Sequence, residues 1–328
     1  MKESFSRTLD TYTGSYVQKR RKKRLLIGLV VLVVLLLCSG SLILLSKGGY
    51  LSRGSSGKAV PKKTVLAFWK SRDWDNTLKA CETSLQSSPL DSFYVGFAGF
   101  SSFYKASELP ESEERTALMD QAVVFLRKTL VIADKGRKVD FPKAEIEYVL
   151  GKAYYFKGHS YWDETTKWLE ASIQDHYVAE DSYEYLAVSY AGLGNTAKAV
   201  TYFEAALAQK RSDLLLVAAG KAYLDAGNDA KAESLLLEAL GKSSDVLTRE
   251  KCRFMLASIY ETRTEINKAQ EQLELVIQEN PQSSDAHYRL GLLIQKQGDT
   301  VRARAEWRRA VAIDPTNVEA RQKLAEKL

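Results

Sequence analysis

A pair of small or apolar residues followed by a tyrosine, or once by an isoleucine, returns five times along this chain. No other feature restricts its fold as much. Leu150-Gly151, Leu186-Ala187, Ala219-Gly220, Leu256-Ala257 and Leu290-Gly291 precede Tyr154, Tyr190, Tyr223, Tyr260 and Ile294, which lie 36, 33, 37 and 34 residues apart. Downstream, Ala199, Ala232, Ala269 and Ala303 keep the last three intervals, and Phe203, Leu236, Leu273 and Trp307 each follow four residues later. A period in this range marks stacked units that cannot bury their apolar faces alone. Small residues let two helices approach closely while large neighbours fill the space between them, so each period reads as a pair of packed helices. Gly158, Gly194, Gly227 and Gly298 fall where the first helix of a unit ends and supply the left-handed conformation of such an end.

These residues resemble the tetratricopeptide repeat, a helix-turn-helix unit with the pattern W-x2-L-G-x2-Y followed by G, A, F, A and P. The fullest copy, Ser284 to Asn317, supplies Leu290, Gly291, Ile294, Gly298, Ala303, Trp307, Ala310 and Pro315, with His287 where the family often has tryptophan. Glu250 to Ser283 is a second copy, closing in Pro281; Asp213 to Arg249 and Glu180 to Ser212 follow, and Ala144 to about Ala179 fits with one residue inserted after Gly158. The resemblance implies an all-α fold, a right-handed superhelix of about seven helix pairs, with five repeats over 144–317. Residues 61–143 read as degenerate pairs: Thr64 to Pro89 with Leu78 and Leu85 on one face, an apolar helix carrying Phe93, Phe97, Phe100, Phe103 and Tyr104, and a helix from about Arg115 to Ile132. Residues 318–328 place Leu324 and Leu328 on one face, as a terminal capping helix requires.

Ahead of the repeats, Leu25 to Leu45 runs 21 residues without a charge. At about 1.5 Å per residue this matches the hydrocarbon thickness of roughly 30 Å and predicts a single transmembrane helix. Six consecutive cations, Lys19 to Arg24, precede it, so the positive-inside bias puts segment 1–24 in the cytoplasm and the repeats across the membrane. A cleaved leader would start its basic region nearer the N-terminus and would not resume an apolar run at Leu42. Residues 46–60, with four glycines and four serines in Ser46 to Val60, read as a flexible linker.

The net charge of +6 is unevenly placed. Residues 1–58 hold eleven basic and two acidic side chains, leaving 36 basic and 39 acidic residues beyond them. The repeats are therefore slightly acidic and lack the footprint of a nucleic-acid-binding domain. Three histidines and three cysteines, none in a paired spacing, predict no metal, no cofactor and no disulfide. Gly54 to Lys58, GSSGK, lacks the spacing of a phosphate loop. With no converging acid, base or nucleophile, the chain is not expected to be an enzyme.

Binding remains. In members of the family, positions 2, 5, 9 and 12 of each repeat line a concave groove. Position 5 corresponds here to Tyr148, Glu184, Val217, Phe254 and Tyr288, and position 9 to Lys152, Val188, Lys221, Ser258 and Leu292. Position 12 gives Tyr155, Ala191, Leu224, Glu261 and Gln295. Aromatic and aliphatic side chains predominate, as suits a surface that buries a peptide or partner helix. The lysine and asparagine pattern by which some members clamp a C-terminal carboxylate is absent at positions 5 and 9. The resemblance implies a scaffold or adaptor for proteins of a bacterial envelope complex, anchored in the inner membrane with its repeats in the periplasm. Two alternatives share this layout: a cytoplasm-facing adaptor regulating envelope biosynthesis, and a component similar to the periplasmic collar around spirochaete flagellar motors.

Overall fold

Second helices in this protein begin with a recurring turn. Asp73, Asn195, Asn228 and Asp299 each accept a hydrogen bond from the backbone N–H three residues on, satisfying a donor that the helix itself leaves free. The residues just before the last three caps, Gly194, Gly227 and Gly298, have φ of 75°, 73° and 92°, where a side chain is disfavoured. First helices start on Ser212, Asp245 and Ser283, which cap in the same way, and on Asp91, which accepts from the Phe93 N–H two residues on.

The computed structural model describes residues 58–326. These form fifteen α-helices and one 3-10 turn, with no strand among the described residues. In chain order they are α1 (Lys62–Lys70), α2 (Trp74–Ser87), α3 (Ser92–Glu108), α4 (Glu113–Asp134), α5 (Lys143–Phe156), α6 (Trp162–Gln174), α7 (Ser182–Gly192) and α8 (Thr196–Gln209). Then follow α9 (Asp213–Asp225), α10 (Asp229–Lys242), α11 (Val246–Thr262), α12 (Ile266–Glu279), α13 (Ser284–Lys296), α14 (Thr300–Ile313) and α15 (Val318–Ala325). The turn His159–Tyr161 lies where the repeat period implied an insertion after Gly158. The expected segments 1–24 and 25–45 and most of linker 46–60 lie outside the described residues; among those described, no helix is long and apolar enough to cross a membrane. The end of that linker is held in place: Val60 donates its N–H to Ser84 and accepts from the Tyr94 hydroxyl.

Each helix packs on the next, most closely within the pairs α3/α4, α5/α6, α7/α8, α9/α10, α11/α12 and α13/α14. The small residues act as the sequence implied. A Cβ built on Gly291 would stand 2.4 Å from Trp307 Nε1, and one on Gly151 2.7 Å from Leu169 Cγ, so helices of a pair meet at a distance only glycine permits there. Gly99 faces Leu126 in the same way, which carries the arrangement into the degenerate pair α3/α4.

The recurring tyrosine does more than fill space. The hydroxyls of Tyr190, Tyr223 and Tyr260 donate to Glu170, Glu204 and Glu233 at 2.7, 2.5 and 2.8 Å. Each carboxylate sits on the second helix of the preceding pair, so the tyrosine ties one repeat to the last. In α5, Tyr154 accepts instead from Arg127 of α4 at 2.9 Å.

Buried residues fall into two clusters, one running from Val65 to Tyr154 and one from Leu169 to Ala320, with Tyr148 packed against both. Helix α3 belongs to the first and is buried on every side from Phe93 to Phe103. A helix apolar all round needs partners all round. Phe141, from the connection at 135–142, supplies the missing one, stacking on Phe100 at 4.1 Å and lying 4.8 Å from Phe97 and 5.8 Å from Trp69.

Candidate partner-binding surface

Besides their sequential contacts, first helices touch one another: α3 with α5, α5 with α7, α7 with α9, and α9 with α11. This brings their like-numbered positions onto one face. Of the eleven residues predicted for the groove, nine lie on α5, α7, α9 and α11 and two, Tyr288 and Leu292, on α13; none is buried. Lys221 and Ser258 are exposed, while Tyr148, Lys152, Tyr155, Glu184, Val188, Val217, Phe254, Tyr288 and Leu292 are partly so. Six of them, Tyr148, Val188, Val217, Phe254, Tyr288 and Leu292, also lean on the core, so they serve packing and surface together.

At α3 the face is closed. Register with Gly151 puts Gly96 at position 5, and the Phe141 ring occupies the space in front of it, 3.2 Å from where a Cβ would lie. The open stretch starts at α5.

There the side chains are mutually engaged. Tyr148 donates its hydroxyl to Asp181 Oδ1 at 2.5 Å, and Lys152 binds Asp181 Oδ2 at 2.7 Å, so two groove positions of α5 grip the residue that precedes α7. The Lys152 ammonium lies 5.2 Å from the Tyr148 ring and 5.0 Å from that of Tyr185. Tyr155 meets Tyr185 edge-on at 4.6 Å and stacks on Trp162 at 6.2 Å, while Tyr177 lies 5.4 Å from Tyr148. Burial, then the Asp181 carboxylate, pushes the Tyr148 hydroxyl well above the ordinary tyrosine range, and burial does the same to Tyr185 and Tyr155. Position-by-position reading missed Tyr177, Tyr185 and Trp162. Only the density of aromatic residues between 148 and 185 hinted at them.

Further along, the face is aliphatic. Leu214 and Leu247 are 66% and 63% exposed. Leu247 belongs to an additional first turn of α11 and shares a helical stripe with Lys251, Phe254 and Ser258. On α13, Arg289 places its guanidinium 4.5 Å from the Phe254 ring. Lys221 pairs with Asp225 at 2.9 Å within α9.

Groups able to do covalent chemistry are engaged elsewhere. Cys81 and Cys252 are buried, which pushes their thiols up to about 12 and about 11. His287 is buried against Glu306 at 2.7 Å, consistent with its packing position in the repeat. Among the described residues no three His, Cys, Asp or Glu side chains cluster as metal ligands would.

The family model described as tetratricopeptide repeat matches residues 186–246 and 254–318. No curated protein matches the sequence. Among solved structures, the C-terminal part of a TPR repeat-containing protein from Cytophaga hutchinsonii is similar at TM-score 0.60 and 16% identity, covering 82% of this chain and 100% of that one. YrrB, described as a TPR protein with an unusual peptide-binding site, gives 0.48 and 16% over 60% of this chain and 97% of its own. MamA from Desulfovibrio magneticus RS-1 gives 0.47 and 15% over 54% and 98%. At these identities the likeness concerns the fold. The matched blocks take in α7 to α14, and the helix pair α5/α6 ahead of them repeats the same glycine-on-leucine contact. The described residues thus form an all-α solenoid of helix pairs, and its segments 186–246 and 254–318 match the tetratricopeptide repeat.

Proposed function

We propose that this protein is a scaffold or adaptor that docks partner proteins on the concave face formed by α5, α7, α9, α11 and α13. The observation that carries the reading is the exposure pattern. Apolar and aromatic side chains at positions 5, 9 and 12 remain accessible on adjoining helices, although the chain has a core in which to bury such groups. Accessible tyrosine, phenylalanine and leucine in a continuous strip are what a protein partner covers with large contact area and little loss of side-chain freedom. The fold is consistent with this role, since tetratricopeptide domains bind protein or peptide partners.

The same proposal extends to location. The uncharged run Leu25 to Leu45 behind Lys19 to Arg24 tethers the solenoid to a bacterial inner membrane, N-terminus in the cytoplasm and repeats in the periplasm. Tethering raises the local concentration of envelope partners and favours assembly or stabilisation of a complex there.

Two experiments test these parts separately. Crosslinking of the full chain in its native membrane is expected to capture proteins, with capture lost on Leu214→Asp and Leu247→Asp together and circular dichroism unchanged, both side chains being exposed. Undiminished capture by that variant removes the face from consideration. For location, protease added after permeabilising the outer membrane alone is expected to degrade the repeats. Protection until the inner membrane is opened would place them in the cytoplasm.

A further inference from the structure

We infer that the α5–α7 end of this face takes an arginine side chain of the partner, presented between apolar neighbours. The inference rests on the docking role proposed above and adds the chemistry of the occupant.

The rings come first. Tyr148, Tyr155 and Tyr185 are all partly exposed, with Tyr155 meeting Tyr185 edge-on and stacking on Trp162. Aromatic faces attract cations. One cation already lies among them, since Lys152 sits near two of the rings, but its charge is matched by Asp181 at 2.7 Å. That pair contributes no net charge to the surface.

What remains is negative. Glu145 lies one helical turn before Tyr148, and Glu184 occupies position 5 of α7. Neither carboxylate forms an ion pair among the described residues. Glu145 is half-buried, and burial raises its affinity for a proton, so its charge bears a desolvation cost that no neighbouring cation offsets. Glu184 lies close enough to Tyr155 and Tyr185 to hinder loss of their hydroxyl protons. Carboxylates thus border the aromatic strip on two adjoining helices, Glu184 beside Tyr155 and Tyr185 and Glu145 beside Tyr177.

A guanidinium suits this arrangement better than an ammonium. It is planar, it is weakly hydrated, and it stacks on a ring while its edge donates to a carboxylate. Further along the same face the ring half of this arrangement is present within the chain, where Arg289 lies over Phe254 at 4.5 Å. At α5–α7 the rings and carboxylates are present, and among the described residues no arginine lies over Tyr148, Tyr155 or Tyr185, Arg115 being placed over the neighbouring Phe156 at 5.4 Å. An acidic segment would meet Glu145 and Glu184 as like charges.

The test uses the full chain in detergent and two fluorescein-labelled probes, the peptide Gly-Leu-Arg-Tyr-Arg-Leu-Gly and its citrulline counterpart, which keeps the shape and removes the charge. Fluorescence anisotropy is expected to show the arginine peptide binding about tenfold more tightly, the effect of two partly exposed ion pairs. Glu145→Gln with Glu184→Gln should erase that difference while leaving the citrulline peptide and the helicity unchanged. Equal binding of the two peptides by the wild-type chain, binding of neither, or full selectivity in the double variant each overturns the inference. If Tyr155→Ala weakens both peptides equally and the glutamine variant changes nothing, the docking face stands and the arginine assignment falls. Loss of protein crosslinking is read independently of either probe.

Discussion

Thr264 shows how far one residue can depart from its repeat. It holds the position of Gly194, Gly227 and Gly298 with φ of 61°, in the left-handed region that a β-branched side chain disfavours. The next residue, Glu265, stands where the other turns have asparagine or aspartate and makes no side-chain cap to α12. The α11–α12 turn is therefore the poorest of its kind in the protein. Replacing Thr264→Gly together with Glu265→Asn is expected to stabilise the chain by about 1 kcal/mol, from relief of backbone strain and a restored cap. A rise in the urea midpoint would register this, and an unchanged or lower midpoint would contradict it. Gly192 is the reverse case: a Cβ there would lie 1.6 Å from the Trp162 ring, so that glycine is fixed by packing and not by φ.

Helices α11 and α12 are joined by charge as well as by apolar contact. Glu279 of α12 receives Arg249 and Arg253 of α11, both at 2.7 Å, and these two hydrogen-bonded guanidinium groups lower its pKa to about 2 from the ordinary 4.5. Because the folded value is the lower one, the stabilisation is complete above about pH 4.5 and fades as pH falls through about 2. The thermal midpoint should drop across that window, and Glu279→Gln should flatten the drop while lowering stability at neutral pH, since it leaves the buried Arg253 short of its counter-charge. A variant whose pH profile in that window matches the wild type would show that this cluster does not set the acid limb. The tyrosine hydroxyls that tie α7, α9 and α11 to the preceding repeats work beside it, holding one pair to the next where apolar contact alone would fix position less tightly.

Across the molecule, the face formed by the first helices is open from α5 onward and closed at α3, and Phe141 makes the difference. Its ring covers Phe97 and Phe100 where a partner would otherwise reach the helix. Phe141→Ala is expected to cost about 3 kcal/mol and to expose apolar surface on α3, seen as increased binding of a hydrophobic dye. Unchanged stability and dye binding would mean that α3 is sheltered by other groups. Since each repeat contacts mainly its neighbours, such a loss should stay within the first buried cluster and leave α9 to α14 protected from hydrogen exchange.

The period of small, aromatic and glycine residues by itself determined the helix pairs, their turns and the side of each helix that meets its partner. Local spacing encodes these directly, because residues three and four apart share a helical face and only glycine allows the closest approach. The positions proposed for docking follow from the same spacing. Tertiary structure decided how those positions are used. Asp181 reaches back to engage Tyr148 and Lys152, Tyr185 and Trp162 join the strip, and Phe141 seals α3 from a connection that carries no repeat signature. These contacts link residues separated by many positions and depend on where neighbouring helices come to rest, which no periodicity within one helix can specify.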